Sequence, residues 1–458
     1  MQAKTILTKK VSTMNKEEHD GAGENEPLES KGYLHYLRKL REKSFMQATI
    51  WTAALLVGCA AVLFARLISA SQSFFFTLFH GHSYLMTAAT PLLFVAATLI
   101  VQKFGPEARG SGIPQVLEAI DRAHGDDKHE PPWHSPLVSL RTAVVKVISS
   151  CVGIIAGASI GREGPTVQIS ASVFAFFGRA TRKVLPQVDF QIFLTAGAAA
   201  GVAAAFNAPL AGIAFALEEV TEGAFGRFRE MVMLAVIISG IAAMAIAGNY
   251  LYFGHPAVTL TPNLLVPETL IFGVVGGIMG GAFARLLAFP EVFGLPPQPW
   301  KRALYCGFVC AAIGLLTDGA SAGSGYEVTR SFLESSSIEQ WPAGLGIAKF
   351  ATTVLSYLSG MAGGIFSPCL SIGAGFGFTV AKLLHLQNFK VCGLLGMVGF
   401  FSGAIQAPLT AVIIIMEMTD EHTLIIPFLL AAFLSRRIGK IFMPVPLYRF
   451  LASKNRKG

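Results

Sequence analysis

The sequence predicts an all-α polytopic membrane protein, built from two related halves with tilted and broken helices. Three observations lead to this fold class. Of the 458 residues, 53% are hydrophobic and only 14% are charged, and the mean hydropathy is +0.56, which is typical of an integral membrane protein. Three Gly-x-x-x-Pro segments each run directly into an apolar stretch. Two segments of the first half recur in the second half.

The N-terminal residues 1–43 are predicted to form a cytoplasmic tail and an amphipathic helix. Residues 1–30 mix acids and bases and lack the charged start and apolar core of a signal peptide, so we expect a disordered tail. In residues 33–45, apolar and basic residues recur at helical spacing. This pattern fits a helix on the inner membrane surface, or a plain helical cap on the bundle.

Apolar runs predict the membrane spans, because a straight span needs about 20 apolar residues. The clearest runs cover residues 46–69, 83–101, 231–247 and 269–289. Other runs are shorter or broken by Gly or Pro, so close helix packing and re-entrant segments are expected. Lys and Arg flank the first and last apolar runs, which places both termini in the cytoplasm and argues against a nucleic-acid partner despite the net charge of +8.

The Gly-x-x-x-Pro segments are predicted to start helices. They are Gly110-Ser111-Gly112-Ile113-Pro114, Gly161-Arg162-Glu163-Gly164-Pro165 and Gly364-Ile365-Phe366-Ser367-Pro368. Pro is favoured in a first helical turn, and Gly allows a sharp approach. A helix that starts inside a membrane exposes unpaired N–H groups and a positive dipole end, which an anion can satisfy. Ordinary caps at the membrane surface are the alternative.

An internal repeat divides the chain. Residues 207–218 align with residues 406–417 without a gap, and residues 161–169 align with 364–372. We place the first membrane repeat at residues 44–251 and the second at residues 262–452, with a cytoplasmic tail at 453–458. Two related halves around a central site are the usual arrangement of a membrane transporter.

In their order, these three motifs and Pro446-Leu447-Tyr448 resemble those of the CLC family of chloride channels and chloride/proton antiporters. The resemblance implies inverted repeats within membrane lipid and a homodimer with one ion pathway per subunit. The chain ends soon after Tyr448, so the nucleotide-sensing CBS domains of many eukaryotic members are not expected. A compact chain of this type favours a bacterial inner membrane.

The resemblance also implies a chloride site. In the family, a Ser of the first motif and a Tyr near the end give hydroxyls to a central chloride, here Ser111 and Tyr448. Backbone N–H groups of the third motif, here Ile365 and Phe366, complete the site. Neutral donors and helix ends bind a halide without trapping it in a tight ion pair. A simple N-cap at Ser111 and an interfacial aromatic at Tyr448 are the alternatives.

Glu163 carries the clearest functional prediction. A carboxylate at a helix start can occupy the positive pocket that would otherwise hold chloride, so protonation would open a gate. The matching residue of the family is the gating, or external, glutamate. Arg162 is expected to add a backbone N–H group and a positive field, or to form a structural pair with Glu163.

Two further groups are predicted near the pathway. Glu218 and Glu219 end an apolar helix and point about 100° apart, so we expect one to meet the cytoplasm and the other to point inward. By position, Glu219 matches the internal proton glutamate of the antiporters, and a solvated carboxylate pair is the alternative. Lys146 lies in an apolar run and matches a family lysine that adds positive potential to the anion path, or it snorkels at the membrane edge.

Some features depart from this pattern or lack an assigned role. Gln115 and Leu117 stand where well-known bacterial antiporters carry acidic residues, so the inner carboxylate cluster is expected to be smaller. Glu417, which aligns with Glu218, is predicted to be a structural carboxylate.

We therefore predict a chloride/proton antiporter with Glu163 and Glu219 as proton stations. Chloride, protons, lipid and a second copy of the chain are the expected partners, and no cofactor or metal site is predicted. The sequence lacks a nucleophile motif or phosphate loop, so an enzyme is not expected. The alternatives are a passive chloride channel on the same fold, an exporter of another anion, and a structural or sensory membrane protein without flux. Nitrate-selective family members tend to have Pro in place of Ser111.

Overall fold

The computed structural model describes residues 28–124, 132–186, 189–220, 225–248, 251–256, 258, 262–335, 337–339 and 341–457. Within these ranges the chain is helical, apart from turns, short 3-10 segments and two isolated β-bridges. In chain order the helices are α1 (Leu28–Gly81), α2 (Ser83–Phe104), α3 (Ile113–His124), α4 (Leu140–Ile155), α5 (Glu163–Arg182), α6 (Phe190–Phe206), α7 (Pro209–Phe215), α8 (Phe225–Ala247), α9 (Pro262–Ala288), α10 (Pro299–Leu316), α11 (Tyr326–Glu334), α12 (Leu345–Ser359), α13 (Phe366–Leu383), α14 (Phe389–Ile405), α15 (Pro408–Thr419), α16 (Ile425–Phe442) and α17 (Leu447–Lys457).

Helix α1 joins two segments that the sequence analysis separated. It runs unbroken for 54 residues through the predicted amphipathic helix and the first span. Neither Gly nor Pro occurs from residue 33 to residue 57, so nothing in the local sequence ends the helix there. The predicted tail lies outside the described residues up to residue 27, and residues 28–30 already belong to α1.

Five helices of the described chain are long and apolar enough to cross a membrane: Tyr36–Gly81, Ser83–Phe104, Glu230–Ala247, Leu265–Ala288 and Phe366–Leu383. The first three contain the predicted runs 46–69, 83–101 and 231–247, and the fourth contains the run 269–289 except for its last residue. The fifth is α13, which follows the third motif. The shorter helices α6 and α14 are apolar on all sides and almost completely buried, which is the pattern of helices at the centre of a bundle.

The three predicted helix starts are confirmed, since α3 begins at Ile113, α5 at Glu163 and α13 at Phe366. In each case the motif Pro lies in the first turn, where its missing N–H breaks no intrahelical hydrogen bond. Sequence rules therefore locate the breaks in the helices.

The two halves make reciprocal contacts. Gly161 N–H donates to the Gly364 carbonyl at 2.7 Å, and Gly364 N–H donates to the Gly161 carbonyl at 2.8 Å. The carboxylate of Glu218 accepts from Leu409 N–H in the second half at 3.0 Å. Its sequence counterpart Glu417 accepts in turn from the backbone of α7 in the first half. The fold is thus built from two repeats that pack against each other through equivalent residues.

Candidate functional site

All three motifs meet at one place inside the helix bundle. Gly110 N–H donates to the Met361 carbonyl at 2.9 Å, and Gly363 N–H donates to the Gly110 carbonyl at 3.0 Å. The second motif pairs with the third through the reciprocal Gly161 and Gly364 hydrogen bonds. The extended segment before α13 therefore holds the starts of α3 and α5 beside its own helix start.

Two glycines are required by this close approach. Gly112 has a φ of +99°, which residues other than Gly rarely adopt. A Cβ at this position would also lie 2.8 Å from the Cβ of Gln168. At Gly164, a Cβ would meet the side-chain oxygen of Ser111 and would lie 2.9 Å from the Ser111 carbonyl oxygen. The Gly residues of the motifs thus allow the backbones to surround Ser111.

The predicted chloride-ligand hydroxyls are buried together. Ser111 is 1% exposed and Tyr448 is 0% exposed. Neither Ser111 Oγ nor Tyr448 Oη has a hydrogen-bond partner in the described part of the chain. The two hydroxyls lie near each other without a hydrogen bond of good geometry between them, and Glu219 also lies near Tyr448. A buried hydroxyl without a partner costs about 1–3 kcal/mol, so this pair of donors fits an anion that accepts from both.

The alternatives for these two residues are wrong. Tyr448 is fully buried, so it is not an interfacial aromatic. The Ser111 hydroxyl caps no backbone N–H group, and helix α3 begins two residues later at Ile113.

The third motif contributes a helix N-terminus. Ile365 is the N-cap of α13 and Phe366 is its first residue, and both are buried. Amide groups at such positions have no intrahelical acceptor and lie at the positive end of the helix dipole. The Phe366 ring packs against Phe401 at 4.4 Å and Phe206 at 4.9 Å between ring centroids, which fixes the orientation of this helix start.

Glu163 reaches the N-terminus of α13 from the second motif. Its side chain is 1% exposed. The Oε1 atom accepts from Ser367 Oγ at 2.8 Å and from Tyr252 Oη at 3.0 Å, and Oε2 accepts from Ser367 N–H at 3.4 Å. The carboxylate therefore lies against a positive helix end, as the sequence analysis expected of a group that competes with an anion.

Positive charge lies close to this carboxylate. Arg162 Nε is 3.9 Å from Glu163 Oε1, so the structural pair considered for these residues is present. A partly open cavity of about 300 Å³ lies beside Arg162, and Arg66 and Asn207 also line it. Two arginine side chains thus border this cavity, and one of them is the neighbour of Glu163.

Lys146 is buried deep in the bundle. It is 0% exposed, and its Nζ donates to the Gly110 carbonyl at 2.8 Å. The snorkelling alternative is therefore wrong, because the ammonium group points at the first motif instead of the surface. Lys349 makes the equivalent contact in the second half, donating to the Gly323 carbonyl at 2.6 Å. Lys349 aligns with Lys146 in the internal repeat, and this repeat was the available signal for it.

Glu218 and Glu219 lie in a π-helical turn, Ala216–Val220, that continues α7. Such turns are rare in proteins, and many of those that occur lie at functional sites. Glu219 is 3% exposed, so it points inward as expected.

The expectation that the other carboxylate meets the cytoplasm is corrected. Glu218 is partly buried and accepts from Leu409 N–H at 3.0 Å and Thr410 N–H at 2.6 Å. These are orphan donors at the start of α15, so Glu218 caps that helix. Glu417 accepts from Ala211 N–H at 2.7 Å in α7, which agrees with the structural role predicted for it.

Arg449 connects α3, α17 and the π-helical turn. It donates to the Glu219 carbonyl at 2.7 Å and to Asp121 Oδ1 at 3.1 Å. Gln115 donates instead to the Arg109 carbonyl, and Leu117 is buried, so neither adds a carboxylate to this region. Asp121 is an acidic residue of α3 that reaches Arg449.

Tyr252 and Arg449 lie at the candidate site, and no sequence motif predicts either of them. Tyr252 lies in the segment between α8 and α9, where no motif marks it. Arg449 follows Tyr448 directly, and its nearness to a predicted site residue was the available signal.

The family model described as "Voltage gated chloride channel" matches residues 92–440. Curated relatives include the H(+)/Cl(-) exchange transporter ClcA of Salmonella typhi, 28% identical over 445 residues, which covers 90% of this chain and 88% of the relative. The protein of the same name from Cronobacter sakazakii is 30% identical over 382 residues, covering 79% of this chain and 78% of the relative.

Two solved structures share this fold. A slow cyanobacterial Cl-/H+ antiporter has a TM-score of 0.76 and 23% identity, with 89% of this chain and 97% of that chain covered. A CLC-type fluoride/proton antiporter has a TM-score of 0.72 and 21% identity, with the same coverage. The predicted fold class is confirmed.

Proposed function

Because the chain belongs to the voltage-gated chloride channel family, the CLC family, we propose that it is an antiporter that exchanges chloride for protons across a membrane. The named ClcA relatives are H(+)/Cl(-) exchange transporters, which favours exchange over passive conduction and transport over enzymatic catalysis. The observation that carries the proposal is the Glu163 carboxylate, buried at the N-terminus of α13.

The proposed chloride ligands are the hydroxyls of Ser111 and Tyr448 and the amides of Ile365 and Phe366. Both hydroxyls are buried without a partner in the described residues, and both amides belong to a helix start. All four are neutral donors, so they can hold a halide and still release it. Lys146 fixes the carbonyl next to Ser111 and adds positive potential without contacting the ion.

Glu163 is the proposed gate and the first proton station. When ionised, it accepts from Ser367 N–H and from two hydroxyls, and it benefits from the positive end of α13 by about 0.3–2 kcal/mol. Protonation removes the charge and most of this attraction. Chloride then replaces the carboxylate at the helix end, so proton uptake and anion movement are coupled through one side chain. Arg162 adds positive charge beside Glu163, which favours an anion there.

Glu219 is the proposed second proton station. It is buried and lies near Tyr448, one of the proposed chloride ligands. Arg449 holds the backbone of Glu219 in place and pairs with Asp121. An apolar side chain at position 219 would have favoured a passive channel.

We further propose that the protein is a homodimer in a bacterial inner membrane, with both termini cytoplasmic and the repeats at residues 44–251 and 262–452. Each subunit would hold a complete pathway, because all three motifs meet within one chain. The second copy would pack against apolar side chains that are exposed on α7, the π-helical turn after it, α15 and α16: Leu210, Leu217, Leu409, Ile426 and Phe433.

The test is proton pumping driven by a chloride gradient in liposomes that contain the purified protein. The wild type should move protons against their gradient. Glu163→Ala and Glu219→Gln should both lose pumping while chloride still crosses. Chloride flux without proton movement in the wild type would instead identify a passive channel and remove the proton role of Glu219.

A further inference from the structure

Two hydroxyl groups meet at a single oxygen of the Glu163 carboxylate. Ser367 Oγ and Tyr252 Oη lie 2.8 Å and 3.0 Å from Glu163 Oε1, and they lie 3.1 Å from each other. All three side chains are buried. Ser367 also offers its backbone N–H group to Oε2 at 3.4 Å. The three oxygens form a closed triangle in which the carboxylate is the common acceptor.

Packing fixes the position of the Tyr252 hydroxyl. The ring of Tyr252 lies 4.5 Å from that of Tyr326, 5.1 Å from that of Phe253 and 6.0 Å from that of Phe206, measured between centroids. The Arg162 guanidinium lies 5.5 Å from the same ring. Little side-chain freedom remains to be lost when the hydroxyl binds the carboxylate, so the contact is preorganised.

The two hydroxyls act differently on the two charge states of Glu163. Hydrogen bonds to an ionised acceptor are about twice as strong as neutral ones. An ionised Glu163 therefore gains from both donors, and a protonated Glu163 gains much less. The two hydroxyls stabilise the ionised carboxylate in its seat at the start of α13.

We propose that Tyr252 and Ser367 form a hydroxyl clamp that holds the Glu163 carboxylate at the start of α13 and thereby sets how readily chloride displaces it. The clamp rests on the proposed gating role of Glu163. Both residues are positioning residues, since they act on chloride through the carboxylate. Neither follows from the Gly-x-x-x-Pro pattern, because position 367 is a variable position of the motif and Tyr252 lies outside it.

Chloride titration calorimetry on the purified full-length protein at fixed pH tests the clamp. Loss of one charge-assisted hydrogen bond should lower the equilibrium constant for the carboxylate occupying its position at the start of α13 by about tenfold. Tyr252→Phe and Ser367→Ala should therefore each lower the chloride Kd by about that factor. Ser367→Thr keeps the hydroxyl and should behave like the wild type. Tyr326→Phe is the matched control, because its hydroxyl accepts from Arg330 Nη1 at 2.8 Å.

The same variants in a Glu163→Gln background separate the clamp from a general structural effect. The clamp predicts that Tyr252→Phe and Ser367→Ala no longer change the chloride Kd once the carboxylate is absent. An equal change in both backgrounds would overturn the proposal, since the hydroxyls would then act on the site directly. Two variants on different elements guard against one of them failing to fold.

The outcomes also separate the clamp from the proposed function. If Glu163→Gln binds chloride with the wild-type Kd, carboxylate and chloride do not compete, and both the gate and the clamp are refuted. If Glu163→Gln binds chloride more tightly but Tyr252→Phe and Ser367→Ala do not, the gate stands and only the clamp is refuted.

Discussion

Gly164→Ala is expected to disrupt the anion site through a single added methyl group. A Cβ at this position would collide with the Ser111 side-chain oxygen and would lie 2.9 Å from the Ser111 carbonyl oxygen and 3.4 Å from Gly364 Cα. The helix start of α5 is held against α13 by the Gly161 and Gly364 hydrogen bonds, so the backbone has little room to withdraw. The Ser111 hydroxyl must therefore turn or move away.

Two costs follow from this collision. Overpacking of a filled interior costs about 1–3 kcal/mol of unfolding free energy. Displacement of one hydroxyl donor from a bound anion costs about 1.5–3 kcal/mol of binding free energy, which corresponds to a chloride Kd at least about tenfold higher. Chloride titration calorimetry measures the second cost, and thermal unfolding measures the first.

The matched control is Gly314→Ala in α10, where an added Cβ meets no atom within 4 Å. It should leave chloride binding unchanged and stabilise its helix slightly, because Ala is a better helix former than Gly. In a Ser111→Ala background, Gly164→Ala should weaken chloride binding much less than it does alone. Wild-type chloride affinity in Gly164→Ala would refute the placement of Ser111 in the anion site.

Three further predictions concern the contact of Arg449 with Glu219, the two carboxylate helix caps and the turn that contains Glu421. Arg449→Ala should lower the number of protons moved per chloride, because the backbone of Glu219 loses its donor at 2.7 Å, and parallel chloride and proton flux measurements in liposomes check this. Glu218→Ala and Glu417→Ala should each lower the unfolding free energy by about 0.5–2 kcal/mol, because reciprocal helix caps are lost, as measured by thermal unfolding. Burial raises the pKa of Glu421, in the turn before α16, so folding stability should fall as pH rises through that pKa. Glu421→Gln should make the dependence of the melting temperature on pH less steep.

Each of these predictions has a contradicting outcome. An unchanged ratio of protons to chloride in Arg449→Ala would show that Arg449 does not position the inner proton station. A loss of stability in only one of the two cap variants would show that the caps are not equivalent. A melting temperature with the same pH dependence in Glu421→Gln would assign that dependence to other groups.

Local rules were sufficient to predict the helix starts and the long spans. Pro in a first turn and a preceding Gly mark the starts of α3, α5 and α13, and these rules depend only on neighbouring residues. The predicted Glu163 position follows from the same rule, since a residue two places before Pro165 lies at the helix N-terminus. The internal repeat then predicts that equivalent segments of the two halves pack together.

Long-range contacts were beyond such rules. Tyr252 contacts Glu163 across 89 positions of sequence, and a Tyr in the connection between α8 and α9 carries no local signal of such a contact. The cap that Glu218 provides depends on α15, far away in sequence. At residues 33–45 the prediction placed a boundary where none exists. The change from basic to apolar composition suggested two separate segments, but the backbone of α1 continues through them without a break.

Halide binding between Ser111 and Tyr448 is tested most directly by locating the halide in crystals of the protein grown in bromide. We expect an anomalous scattering peak between Ser111 Oγ, Tyr448 Oη and the amides of Ile365 and Phe366. In Glu163→Gln, a second peak should appear where the Glu163 carboxylate lies against Ser367 N–H. Absence of bromide from the space between Ser111 and Tyr448 would show that these hydroxyls do not bind the transported anion.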